Sequence, residues 1–166
     1  MTAEGFLSEL LNEHHRLEEF DSGEPSLDTW LKDHARRAAQ QGTASTHVWT
    51  DGTSNNVLAF YSVAPTQVAR DDVSSAAACG NSIVPAYLIG RLALDRSLRG
   101  KKLGVQLLLD ALEVIVAAAS TSGGRLVVVD ALNENADDFY RTNVFAPTKT
   151  DGRLVMKVST AVALFS

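Results

Sequence analysis

An apolar run, YLIGRLAL at 87–94, passes through DRSLRGKKLGV straight into a helical stretch at 103–119. The run reads as a buried strand. In the following stretch Leu108, Ala111, Leu112, Ile115, Val116 and Ala119 recur at the i, i+3, i+4, i+7 spacing of a helix with one apolar face. Gly123 and Gly124 then break the chain. A second buried strand, LVVVDA, is predicted at 126–131, a short helix at 134–141 and a last strand at 153–159, with 161–165 extending or packing against the sheet.

Upstream, Pro25 suits an opening helical turn, with Ser26 or Glu24 as its cap. Leu27, Trp30, Leu31, Ala35 and Ala38 form a helical stripe at 25–41, and Gly42 ends it as a left-handed cap. Strands are predicted at 45–50 and 57–64, joined by the hairpin-turn residues DGTSNN, and 70–82 reads as loop or weak helix. The order predicts an α/β (α+β) fold, a mixed central sheet with helices on both faces. The 166 residues suit a single domain over 1–166 with one core.

Composition narrows the class. Apolar residues make up 45 % and charged residues 21 %, which excludes a disordered chain. Gln106, Asp110 and Glu113 interrupt the longest greasy stretch, so no membrane span is expected. The acidic opening MTAEGFLSELLNEHH does not read as a signal peptide, and the lone Cys79 cannot form an internal disulfide, which fits a cytoplasmic setting. The net charge of −5 argues against a general nucleic-acid binder, but it is unevenly spread. Residues 1–28 carry eight acids against Arg16, a net −7, which leaves +2 for the rest. Within 91–102, five cations (Arg91, Arg96, Arg99, Lys101, Lys102) face only Asp95. A local cationic face attracts phosphates even on an acidic molecule.

The loop is the candidate phosphate site. A helix start presents unpaired N–H groups and partial positive charge, so phosphates bind there with few side chains. Gly100 and Gly104 permit close backbone approach, and Arg99, Lys101 and Lys102 add charge. Neither G-x-x-x-x-G-K-[ST] nor G-x-G-x-x-G is present. On these residues alone, a surface turn that merely starts a helix remains an equal alternative.

LIGRLALDRSLRGKKLGVQLLLDAL resembles the acetyl-CoA-binding core of the GCN5-related N-acetyltransferase superfamily. The family loop Q/R-x-x-G-x-G/A maps onto Arg99-Gly100-Lys101-Lys102-Leu103-Gly104, with Lys102 where the first pattern glycine is expected. The resemblance implies acetyl-CoA as co-substrate, no metal, and a cofactor site comprising Leu92, Ala93, Leu94, Arg99, Gly100, Lys101, Lys102, Leu103, Gly104, Val105 and Asn133. The main chain of 92–94 would pair with the pantetheine arm like an added strand. VDALNENADDFYRTNVF is similar to the family segment ending F-Y-x-x-x-G-F, which makes Tyr140 the catalytic residue beside the coenzyme sulfur. A phenol of pKa about 10 stays protonated at neutral pH and can protonate a leaving thiolate. Val144 stands at the pattern glycine, and Asn143 is expected to take the left-handed turn instead. Asn133 is expected to cap the helix as well. No histidine among His14, His15, His34 and His47 stands out as a base. An α-amine of pKa about 7.7–8.0 needs little help, which favours such an acceptor over lysine.

Over residues 15–158, EFDSGEPSLDTWLKDHARRAAQQGTASTHVW, AFYSVAP and YLIGRLALD are similar to tRNA-acetylating toxins of type II toxin–antitoxin pairs. That resemblance implies acetylation of the α-amine of aminoacyl-tRNA, blocking translation, with Lys32, Arg36, Arg37, Arg91 and Arg96 guiding RNA phosphates. It also implies an antitoxin of ribbon–helix–helix type and a homodimer, with Trp30 or the C-terminal AVALF supplying apolar contact. The alternatives are an acetyltransferase of a small amine or protein N-terminus, which the acidic total charge favours, and an inactive acetyl-CoA-binding module.

Overall fold

In the computed structural model, which describes residues 5–166, seven strands lie in the order β1-β2-β3-β4-β5-β7-β6. The strands are β1 (Leu7–Leu10), β2 (Ser45–Thr50), β3 (Ala59–Ala69), β4 (Ile83–Leu94), β5 (Leu126–Asp130), β6 (Ala146–Pro147) and β7 (Arg153–Lys157). The helices are α1 (Pro25–Asp33), α2 (Ala35–Gln41), α3 (Ser75–Ala78), α4 (Leu103–Ser122), α5 (Glu134–Thr142) and α6 (Val158–Ala163). Glu4, counted above in the acidic opening, lies outside the described residues. The sheet is mixed as expected: β4 and β5 are parallel, while β1–β2, β2–β3, β5–β7 and β6–β7 are antiparallel.

The chain divides into two compact units, one running to Ala64 together with Arg91–Ala111, the other Pro65–Gly90 with Leu112–Ser166. In the first unit, alternation along β2 sends successive side chains to opposite faces. Val48 packs with Leu31, Ala35, Phe60 and Ala93, so α1 and α2 cover that face. Trp49 turns the other way, where its indole N–H donates to Asp110 Oδ2 of α4 at 3.0 Å. Ser8 donates to the same oxygen at 2.6 Å. Asp110 therefore lies off the apolar stripe, buried yet satisfied.

The second unit is built on β5, whose Leu126, Val127, Val128 and Val129 are fully buried. Val68, Ala78, Val84, Ala86 and Val155 pack with Leu126 and Val128. The β4–β5 ladder pairs residues 86–89 with 126–129, and β4 runs on through 90–94 beyond the last pair.

Four expectations need correction. The 25–41 helix is two helices, because His34 leaves helical dihedrals (φ −126°, ψ −25°). Arg36 accounts for the break: its guanidinium donates to the carbonyls of Asn12 (3.2 Å) and His15 (2.8 Å), tying the start of α2 to the preceding segment. The strands expected at 57–64 and 87–94 extend to Ala69 and begin at Ile83, across Pro65 and Pro85. A proline lacks the N–H but keeps its carbonyl, and Pro85 accepts from the Arg125 N–H at 2.8 Å. The last strand stops at Lys157, where α6 begins; Val158 and Ala161 are buried at helical spacing. Finally, α4 reaches Ser122 and is long and apolar enough to cross a membrane by length and composition. Its buried Leu107, Leu108, Asp110, Ala111, Leu112 and Ile115 mark it as a core helix.

Candidate functional site

After β4, Asp95 caps a single 3-10 turn, Arg96–Leu98, accepting from the Ser97 N–H at 3.0 Å and the Ser97 hydroxyl at 2.8 Å. Gly100 (φ +76°) and Lys102 (φ +58°) then adopt left-handed backbone before the 20-residue helix α4 starts. Lysine bears a steric cost there that glycine would not. The loop keeps the geometry of a glycine loop although one glycine is missing. Gly100, Lys101 and Lys102 are exposed, and a Cβ added at Gly100 would meet nothing within 4 Å. Leu103 and Gly104 are half-buried, and Val105 is exposed at 39 %. Ala93 is buried, with Leu92 and Leu94 half-buried on either side.

The cations of the first unit fall into two groups. Arg36 is tied to Asn12 and His15; Arg96 pairs with Asp21 at 3.2 Å; Arg99 donates to the Ser22 carbonyl at 2.8 Å. Arg91 lies over the Trp30 ring, 4.1 Å from its centroid, and partial burial lowers its pKa. Lys32, Arg37, Lys101 and Lys102 are exposed and make no ion pair among the described residues.

In the second unit, Asn133 caps α5, its side chain accepting from the Ala136 N–H at 2.9 Å, as expected. The helix ends in a Schellman motif: Phe145 N–H donates to Tyr140 O (3.1 Å) and Val144 N–H to Arg141 O (3.3 Å). The motif requires left-handed backbone at its penultimate position, which is residue 144. Val144 has φ +75°, while Asn143 keeps φ −101° and spends its side chain on the Phe139 carbonyl at 2.7 Å. The expected turn at Asn143 is thus corrected: the hydrogen-bond register, not residue preference, selects the strained position. Phe145 packs edge-on against Tyr140 at 5.4 Å, as the motif's apolar contact, and Phe139 also packs edge-on against it at 5.4 Å. Burial pushes the Tyr140 phenol up to about 12.

The donor set of the 99–105 loop suits a diphosphate. It combines leading amides of a long helix, two exposed ammonium groups and open space above a glycine. The free edge that β4 carries past its last β5 pair is the kind of main chain an amide-bearing arm can join. Acetyl-CoA offers both a diphosphate and such an arm.

No family profile matches the chain. It is 38 % identical over 134 residues to a tRNA-acetylating toxin of Mycobacterium tuberculosis, covering 80 % of this chain and 79 % of that protein. It superposes on AtaT complexed with acetyl-methionyl-tRNAfMet with a TM-score of 0.89 at 27 % identity, covering 97 % of this chain and 99 % of AtaT. A tyrosine-to-phenylalanine mutant of AtaT, bound to the C-terminus of the antitoxin AtaR and to acetyl-CoA, gives a TM-score of 0.86 at 26 % identity, covering 98 % and 99 % of the two chains.

Proposed function

This chain belongs to the tRNA-acetylating toxin family, and from that premise we propose that it transfers acetyl from acetyl-CoA to the α-amine of an aminoacyl-tRNA, blocking translation. The identity over four-fifths of the chain carries the reading. When bound, acetyl-CoA supplies the acetyl group as an activated thioester. The amides of Arg99, Gly100, Lys101, Lys102, Leu103, Gly104 and Val105, with the charges of Lys101 and Lys102, hold the diphosphate. The main chain of Leu92, Ala93 and Leu94 pairs with the pantetheine arm, and the resemblance assigns Asn133 to the cofactor as well. Tyr140 keeps its proton well above neutral pH and gives it, or a hydrogen bond from it, to the departing sulfur. An α-amine is already partly neutral at pH 7, so no strong base is required.

Lys32 and Arg37, being unpaired, meet RNA phosphates most readily; Arg36, Arg91 and Arg96 contribute field from positions fixed by the protein. The AtaT complexes support acetyl-CoA, tRNA and an antitoxin as partners. The antitoxin is of ribbon–helix–helix type, and the chain acts in the cytoplasm as one domain. It works as a homodimer, for which the exposed Val162, Leu164 and Phe165 offer apolar area. The test is incubation with labelled acetyl-CoA and total charged tRNA. Label should enter the aminoacyl end. Transfer only to protein or polyamine would replace this reading with that of a small-amine enzyme. Tyr140→Phe should bind acetyl-CoA normally and lose about 10²-fold or more in kcat; unchanged turnover would remove the phenol from the chemistry.

A further inference from the structure

The turn at Asp21, Ser22 and Gly23, just ahead of α1, is bonded to the segment 95–99 at four places. The Asp21 N–H donates to Asp95 Oδ1 at 2.9 Å. The Arg96 N–H donates to the Asp21 carbonyl at 2.9 Å. The Arg96 side chain pairs with Asp21 Oδ1 at 3.2 Å, and the Arg99 guanidinium donates to the Ser22 carbonyl at 2.8 Å. The turn is itself rigid. Asp21 Oδ1 accepts from the Gly23 N–H at 2.9 Å, and Asp28 of α1 accepts from the Ser22 hydroxyl at 2.6 Å. Gly23 has φ +89°, and a Cβ there would collide with the end of the Arg99 side chain. Glycine is therefore favoured by its backbone, and it also leaves the guanidinium room in its present position. Burial pushes the Asp95 carboxyl up, but bonds from the Asp21 and Ser97 N–H groups and the Ser97 hydroxyl, with the nearby Arg96 charge, bring it below its ordinary value.

We propose that this turn is a latch that sets the conformation of the 99–104 loop, with Asp21 and Arg99 as positioning residues: the Arg99 guanidinium holds the loop to the foot of α1 and is not spent on the diphosphate. The latch rests on the reading that this loop takes acetyl-CoA. It also joins the helix bearing Lys32 to the cofactor loop through Asp28, Ser22 and Arg99, so order in one is order in the other.

The sign of one substitution separates the latch from plain electrostatics. Asp21→Ala removes a negative charge from the neighbourhood of an anion site, which by charge alone tightens acetyl-CoA binding. Loss of the latch weakens it instead, by about tenfold for the two bonds that the Asp21 carboxylate accepts. Asp21→Asn keeps the accepting oxygen and should bind acetyl-CoA at least as well as the wild type. Calorimetry gives the affinities. Amide hydrogen exchange on the cofactor-free protein should show faster exchange at 99–104 in Asp21→Ala and in Arg99→Ala, and wild-type exchange in Asp21→Asn. The double variant should be no weaker than the worse single one. Unchanged or tighter binding by Asp21→Ala, independent multiplication of the two effects, or wild-type exchange in Arg99→Ala each overturns the latch. If Asp21→Ala fails to fold, the exchange and affinity of Arg99→Ala decide: weaker binding with unchanged exchange means direct contact with the ligand and refutes it. Failure of the wild-type protein to bind acetyl-CoA would instead sink the cofactor assignment.

Discussion

Val144 offers a test of backbone strain that needs no ligand. A β-branched residue at φ +75° costs about 2–3 kcal/mol relative to a relaxed backbone. Val144→Gly removes that cost. Against it stand the extra entropy of glycine in the unfolded chain, about 0.5–1 kcal/mol, and loss of the buried part of the side chain. Val144 is 62 % exposed, so that part is about a third of the 1.5–3 kcal/mol assigned to full burial. The net is a stabilisation of about 1 kcal/mol, or about 2–4 °C in Tm for a chain of this size. Val144→Ala is the control, because it trims the same two methyl groups but keeps a Cβ at positive φ. In a helix interior alanine beats glycine by about 1 kcal/mol; at residue 144 the order should invert by a similar amount. Thermal melts followed by circular dichroism, with urea titrations, measure both variants. Glycine equal to or less stable than alanine would refute the argument that the Schellman register forces the strain.

Three further outcomes follow from buried groups. Asp110→Ala leaves the Trp49 indole N–H without its acceptor and should cost about 2–4 kcal/mol in urea unfolding, whereas Asp110→Asn, which keeps an accepting oxygen, should cost less; equal losses would put the effect down to packing. His47 lies against Tyr61 with its rings 5.0 Å apart, and burial lowers its pKa against the opposing pull of Asp110. A lowered histidine contributes stability that is complete above about pH 6.5 and is lost as pH falls toward the folded value. Wild-type Tm should therefore drop more than that of His47→Gln between pH 7 and 5, and parallel curves would contradict the assignment. Tyr140 has the opposite sign: raised to about 12, it favours the folded state fully below its unfolded pKa of about 10 and loses that as pH climbs through 12. The kcat–pH profile should accordingly show no descending limb from this phenol up to about pH 10, and such a limb absent from the Tyr140→Phe residual activity would count against its protonated role.

Where local chemistry and tertiary packing agree, the sequence was enough. Leu108, Ala111, Leu112 and Ile115 of the stripe that predicts α4 are buried, Gly42 caps α2 in left-handed backbone, and Asn133 caps α5. The DGTSNN hairpin closes on Asp51, whose carboxylate accepts from the Thr53 and Ser54 N–H groups at 2.9 and 3.0 Å. Misses arise where a distant partner decides. The break at His34 goes with the bonds of Arg36 to the carbonyls of Asn12 and His15, 24 and 21 residues before it. Strand β1 is only four residues of LSEL, half-exposed, and its signal lies in pairing with β2 rather than in its own pattern. The C-terminal run was ambiguous by composition, since valine and threonine favour strands, and only the burial of Val158 with Ala161 turns it into a helix. The latch was hidden for the same reason: Arg99 read as a phosphate-loop charge and Asp21 as one more acid of the N-terminal segment until the fold brings both to one turn.

The two departures from the family pattern share a cause. Lys102 and Val144 stand where glycine is expected, and both hold the positive φ that a glycine would take freely. Had the substitutions relaxed the backbone, the loop before α4 and the turn after α5 would have lost their shapes. The turn after α5 is held by bonds to the Tyr140 and Arg141 carbonyls that do not involve the substituted side chain, and the segment just ahead of Lys102 is bonded to Asp21 and Ser22, the contacts on which the proposed latch rests. Backbone geometry is thus preserved at a local cost of about 1–3 kcal/mol per site. A chain with no use for these two shapes would gain that energy by relaxing either turn, so their persistence argues for an active acetyltransferase over an inactive relic. Restoring glycine at 102 separates geometry from charge. Lys102→Gly should keep the loop's exchange protection while weakening acetyl-CoA binding, and an unchanged affinity would mean that the ammonium group contributes nothing to holding the diphosphate.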